Sequence, residues 1–207
     1  MVDFGRRLHE KGFIAGTDGN LSLMVDKDLL LITPTGVPKG YLQEFDMILV
    51  NLQGELIAGK KSPSSELPMH LFIYKNRPGI KACCHAHPRY ATAFSIIGKA
   101  LPSDILPEVV LSVGEIPLIP YAPPGTEALP RSLENHIEKH TAFILQNHGA
   151  LTIGRNLEEA YNRMETVEHF AGIVYIAELM GTVNHLDESE VKRLEKIRNS
   201  LKQVNGQ

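Results

Sequence analysis

A short apolar run that begins at Ile80 ends in Cys83-Cys84-His85-Ala86-His87 and is closed by Pro88. Such a run, bounded by proline, reads as a buried strand, and strand side chains alternate between faces. His85 and His87 therefore leave the same face, side by side. Two imidazoles held this way are half of a metal site that needs no loop to organise it. A catalytic zinc takes three protein ligands and keeps one position open, so a third ligand has to come from elsewhere. His148 is the candidate, in Leu145-Gln146-Asn147-His148-Gly149, where the strand-like run Ala142 to Leu145 ends in a turn. Cys83 shares the face of the two histidines and could be a ligand, but a small residue filling a buried strand accounts for it as well.

Strands and helices alternate around this segment. A first helix is expected over Asp3 to Lys11, broken at Gly12. Strands are expected over Leu29–Thr33, Met47–Leu52, Glu55–Ala58, Ile80–His87, Ile116–Tyr121 and Ala142–Leu145. Helices are expected over Glu66–Lys75, with Pro68 in the first turn, over Ala91–Ile97 and over Glu127–Lys139. A long helix follows Asn156, an N-cap residue. Its Leu157, Ala160, Met164, Val167, Ala171 and Val174 recur three or four apart as one core-facing stripe. A last helix of mixed charge starts near Asp187. Elements intermingled in this way predict a layered α/β domain, and residues 1–207 are read as one such domain.

Composition narrows the function. A net charge of −3 with 22% charged residues supplies no general basic field for nucleic acid. No apolar run approaches the length of a membrane span, and the first residues lack the apolar core of a secretory signal. The adjacent Cys83 and Cys84 cannot staple distant segments. The expectation is a cytoplasmic protein that binds neither nucleic acid nor membrane.

Three polar loops remain. Gly16-Thr17-Asp18-Gly19-Asn20-Leu21-Ser22 follows the first helix, Thr33-Pro34-Thr35-Gly36 follows a strand, and Ser62-Pro63-Ser64-Ser65-Glu66 opens a helix. Hydroxyls, glycines and a helix N-terminus are the ingredients of an anion site, although each loop taken alone reads first as a turn or a cap. No nucleotide-binding glycine motif is present. In this order, and joined by His85-Ala86-His87, Pro120-Tyr121-Ala122-Pro123-Pro124-Gly125-Thr126 and Asn147-His148-Gly149, the segments resemble the class II aldolase/adducin family from Gly12 to about Gly181.

The resemblance implies a single three-layer α/β/α domain around a mixed β-sheet, assembled as a homotetramer with active sites at subunit interfaces. It implies that His85, His87 and His148 bind Zn2+ or another divalent metal. It further implies that Asn20, Thr35, Gly36, Ser64 and Ser65 cradle a substrate phosphate, and that Glu66 is the catalytic acid/base. The substrate would be a small phosphorylated sugar. The activity would be reversible cleavage of a ketose 1-phosphate, such as L-fuculose 1-phosphate, to dihydroxyacetone phosphate and an aldehyde. Glu66 favours this over the related 4-epimerases, which place Asp there. Two departures pull away from the aldolases and leave a related metal-dependent sugar-phosphate decarboxylase, dehydratase or 4-epimerase as the alternative: Leu106 stands where the aldolases have a tyrosine, and no tyrosine follows Tyr175. Glu108, in Leu106-Pro107-Glu108, is a possible polar substitute reaching a neighbouring site. A non-catalytic adducin-type module is the reading from a different class.

Overall fold

The computed structural model describes residues 1–204. Eight strands form one mixed sheet: β1 (Asn20–Asp26), β2 (Leu29–Ile32), β3 (Ile48–Asn51), β4 (Leu56–Ala58), β5 (Ala82–Ala86), β6 (Leu118–Ile119), β7 (Ala142–Leu145) and β8 (Gly149–Gly154). Their order is β4-β3-β2-β1-β5-β8-β7-β6. Every neighbouring pair is antiparallel except β6 and β7, which are parallel. The helices are α1 (Val2–Glu10), α2 (Leu67–Asn76), α3 (Arg89–Ile96), α4 (Pro107–Ser112), α5 (Ala128–Ser132), α6 (Leu157–Met180) and α7 (Glu188–Val204).

The sheet is covered on both faces because its central strands are apolar on both. One face carries Ala82, Cys84, Ala86, Ala142 and Ala150, which pack with Met164, Val167, Phe170 and Ala171 of α6. These small residues let α6 approach closely. Thr152 Oγ1 donates to Ala160 O at 2.7 Å, and a Cβ on Gly154 would sit 2.7 Å from Ala160 N. The other face carries Cys83, Phe143, Leu145, Leu151 and Ile153 against Met69 and Ile73 of α2 and Leu129 of α5. Cys83 is thus core, and burial pushes its thiol up to about 12, so it remains protonated. The result is the three-layer α/β/α arrangement.

α6 is capped as its sequence requires: Asn156 Oδ1 accepts the Glu159 N–H at 2.8 Å. Its buried stripe is the expected one, extended by Tyr161 and Phe170. Other boundaries differ from expectation. The strand expected over Ile116–Tyr121 is reduced to Leu118–Ile119, since Pro117 and Pro120 offer the sheet no N–H on either side. The helix expected over Glu127–Lys139 is helical only to Ser132 and continues as turns. β1, β8 and α4 were not anticipated. Among the described residues no helix is long and apolar enough to cross a membrane.

Candidate active site

Two strand ends and one hairpin bring the three histidines together. β5 is central, paired with β1 and β8, and delivers His85 at its end with His87 two residues on. β7 and β8 form a tight hairpin whose connection is Gln146-Asn147-His148. Asn147 takes the turn with φ of 56°, a left-handed conformation that asparagine tolerates, and so aims His148 back over β5. Gly149 is required there by close approach. A Cβ would meet Ala86 O at 2.5 Å and His87 Cδ2 at 2.6 Å.

The ring centroids of His85, His87 and His148 lie 4.6 to 5.2 Å apart, and one nitrogen from each falls within 4.8 Å of the others. His85 Nδ1–H donates to Ala150 O at 2.9 Å, which leaves its Nε2 lone pair facing the cluster. His87 Nε2 lies 3.1 Å from that atom. Burial holds the His85 imidazole down to about 3, and it pushes His87 down as well. His85 is therefore neutral at physiological pH, the form a metal ligand needs.

Glu66, the residue preceding α2, faces this cluster and is buried. Its Oε2 lies 3.1 Å from His85 Nε2 and its Oε1 3.1 Å from His148 Nε2. Burial pulls its proton affinity up; the adjoining His85 and His148 imidazoles and the hydrogen bond from the Asn20 amide pull it down and prevail. Glu66 Oε1 and His148 Nδ1 are buried without a hydrogen-bond partner. A carboxylate crowded against imidazole lone pairs, with too few protons to join them, is a donor set that fits a divalent cation.

The three polar loops also converge. Thr33 N–H donates to Leu21 O at 3.0 Å and Leu21 N–H to Thr33 Oγ1 at 3.1 Å. Ser64 N–H reaches Thr33 O and Thr35 N–H reaches Ser62 O, both at 3.1 Å. Asn20 and Ser64 are buried, while Thr35, Gly36 and Ser65 are exposed. Gly36 has φ of 69°, and the space around its Cα is open, as a backbone that meets a ligand should be. Asn20 is engaged elsewhere as well: its Nδ2 donates to Glu66 Oε2 at 2.8 Å. Glu108 is exposed on α4, and no hydrogen bond or ion pair joins it to the cluster.

One feature escaped the sequence reading. Lys39 is buried, and its ammonium donates to Thr17 O at 2.7 Å and Val37 O at 2.8 Å, tying the first loop to the second. Burial lowers it to about 8, against the opposing pull of Asp18. His70, four residues after Glu66 and so on the same helical face, where it can pack or support the site, is fully buried beneath Asn20. Nothing in the periodicity around Lys39 signals a buried cation.

The fold and this site define a member of the class II aldolase superfamily. The family described as Class II Aldolase and Adducin N-terminal domain matches residues 1–175, and the chain belongs to it. A 3-oxo-tetronate 4-phosphate decarboxylase of Pectobacterium atrosepticum is 39% identical over 180 residues, 85% of this chain and 82% of that one. An L-fuculose phosphate aldolase of Methanococcus maripaludis is 39% identical over 176 residues, 85% of this chain and 94% of its own. A solved L-fuculose 1-phosphate aldolase superposes with a TM-score of 0.87 at 32% identity, covering 94% of this chain and 92% of that one.

Proposed function

We propose that this protein is a metal-dependent carbon–carbon lyase acting on a small phosphorylated sugar through the enediolate of dihydroxyacetone phosphate. The observation that carries this reading is the buried Glu66 carboxylate, 3.1 Å from the Nε2 atoms of both His85 and His148 and beside the loops that suit a phosphate. His85, His87 and His148 hold the ion, and three imidazoles suit zinc first. When bound, such an ion supplies Lewis-acid stabilisation of negative charge on a substrate oxygen. Thr35, Gly36, Ser64, Ser65 and the remaining Asn20 N–H hold the phosphate, so that binding energy far from the reacting carbon fixes its position.

Glu66 moves the proton at that carbon. In aldol cleavage of a ketose 1-phosphate, such as L-fuculose 1-phosphate, the C3–C4 bond breaks and its electron pair stays on C3. The leaving carbon becomes an aldehyde as its hydroxyl proton passes to a base. Glu66, after taking up a proton from solvent, delivers it to C3 and yields dihydroxyacetone phosphate, while the base returns its proton to solvent. A homotetramer in the cytoplasm completes this reading.

One observation favours a second reading, decarboxylation. A 3-oxo-tetronate 4-phosphate that loses CO2 gives the same enediolate, yet has no leaving hydroxyl to deprotonate. Among the described residues of one chain, the partners of the Glu66 carboxylate are His85, His148 and Asn20, with no tyrosine, and the other carboxylate at the cluster, Asp18, is paired with His87 Nδ1 at 3.6 Å. One acid/base group suffices for decarboxylation, whereas aldol cleavage calls on two. Zinc-loaded protein incubated with ketose 1-phosphates or 3-oxo-tetronate 4-phosphate, with dihydroxyacetone phosphate read by a coupled reduction, separates the two. Product from the ketose supports the aldolase, and product with CO2 from the oxo acid supports the decarboxylase. Product from neither, in protein that holds metal, overturns the common intermediate.

A further inference from the structure

Behind Glu66 and Asn20 runs a chain of buried polar side chains, His70, Ser22 and Tyr74, that the reaction above does not use. Asn20 Nδ2 donates to Glu66 Oε2 at 2.8 Å, and Asn20 Oδ1 lies 2.5 Å from His70 Nε2. His70 Nδ1 lies 2.5 Å from Ser22 Oγ, and Ser22 Oγ 2.7 Å from Tyr74 Oη. Asn20, Ser22, His70 and Tyr74 are all buried, with His70 and Ser22 at 0% exposure. Asn20 and Ser22 come from β1, and His70 and Tyr74 from successive turns of α2.

The donors in this chain can run in one direction only. Glu66 as a carboxylate accepts, so Asn20 must present its amide N–H to it. The flipped amide would set oxygen against oxygen. Asn20 Oδ1 then accepts from His70 Nε2–H. Burial holds His70 down to about 4, so the ring carries one proton and Nδ1 is an acceptor. Ser22 O–H donates to that nitrogen, and its oxygen in turn accepts from Tyr74 O–H.

We propose that His70, locked as its Nε2–H tautomer by Ser22 and Tyr74, is a positioning residue. It fixes the Asn20 amide so that Glu66 is held in one orientation toward the substrate carbon. This rests on the assignment of Glu66 as the acid/base, but the tautomer is a property of the protein alone. His70→Gln keeps an N–H donor toward Asn20, whereas His70→Leu removes it and leaves the amide free to turn.

The first arm is two-bond 1H–15N NMR of the histidines in wild-type protein at neutral pH, with His70→Gln identifying the resonance. A neutral ring protonated on Nε2, shifting toward a mixture of tautomers in Ser22→Ala, is the expected result. A ring protonated on Nδ1, or on both nitrogens, overturns the proposal whatever the enzyme's activity. The second arm is zinc-dependent proton exchange on dihydroxyacetone phosphate. His70→Leu should lower kcat about 10- to 100-fold, the usual cost of losing a supporting partner, at unchanged KM. His70→Gln should recover most of it. Loss in both variants, or a loss carried by KM, assigns His70 to packing or to the phosphate and overturns positioning. If wild type shows no exchange while the tautomer arm holds, the reading of Glu66 fails, and with it the use assigned to this chain of bonds.

Discussion

Gly149→Ala tests whether the ring cluster is set by the close approach of β8 to β5. The added methyl would lie 2.5 Å from Ala86 O and 2.6 Å from His87 Cδ2, roughly 0.9 Å inside the 3.4 Å limit of ordinary contact. Gly149 is not among the glycines of positive φ, so the penalty is steric rather than conformational. Backbone cannot yield cheaply in the middle of a sheet, so the His87 ring has to turn or the hairpin has to lift. Overpacking of this kind costs about 1–3 kcal/mol. For a chain of this size each kcal/mol lowers Tm by about 2–4 °C. A displaced His87 should also weaken zinc by about 10- to 100-fold, the range for losing ligand orientation. Calorimetric melting of the metal-free protein and zinc titration against a chromophoric chelator read the two effects separately. Gly79→Ala is the control, because its Cβ would meet nothing within 4 Å and its φ is ordinary. Wild-type Tm and zinc affinity in Gly149→Ala, or equal losses in Gly79→Ala, would refute the reasoning.

Other outcomes follow from the same structure. Burial lowers His70 to about 4, below the ordinary value of 6.5, so the unfolded chain takes up that proton first. Its contribution is therefore intact above pH 6.5 and lost as pH falls toward 4. This is worth about 3 kcal/mol in all, and denaturant titrations of wild type and His70→Gln across that window should show the variant with the flatter dependence. Glu168, on α6, accepts the N–H of Tyr90 at 3.0 Å and of Ala91 at 2.9 Å, holding the start of α3 just after His87. Glu168→Ala should cost about 1–3 kcal/mol in a urea melt, since it strands the buried Ala91 N–H. Asn156→Ala, which deletes the α6 cap, should cost about 1 kcal/mol in the same assay.

What the sequence discloses here depends on how local its physics is. β5, β7 and α6 were legible because apolar runs and helical spacing report burial directly. The histidine cluster was legible because a strand's period of two places His85 beside His87. β1 was hidden because Asn20 and Ser22 are polar yet face inward, where His70, Tyr74 and Glu66 satisfy them. Polarity read without its distant partners looks like a loop. β8 was hidden by its two terminal glycines, which are there for close approach to Ala86 and Ala160, a demand set by tertiary packing. The turn after Ser132 interrupts a segment whose composition suits a helix, and α4 is too short for periodicity to register. The polar loops were grouped with Glu66 by the order of several motifs rather than by any one of them. Their convergence rests on backbone bonds such as Ser64 N–H to Thr33 O, which carry no side-chain signature.

The central claim is that Glu66, beside a three-histidine metal centre, moves a proton at the carbon next to the carbonyl of dihydroxyacetone phosphate. Deuterium incorporation into that compound in heavy water, followed by NMR with zinc-loaded protein and no aldehyde, tests it most directly. Exchange that vanishes on chelation and in Glu66→Gln is the predicted result. A folded, zinc-bound protein that incorporates no deuterium, or a Glu66→Gln variant that exchanges as fast as wild type, would contradict it.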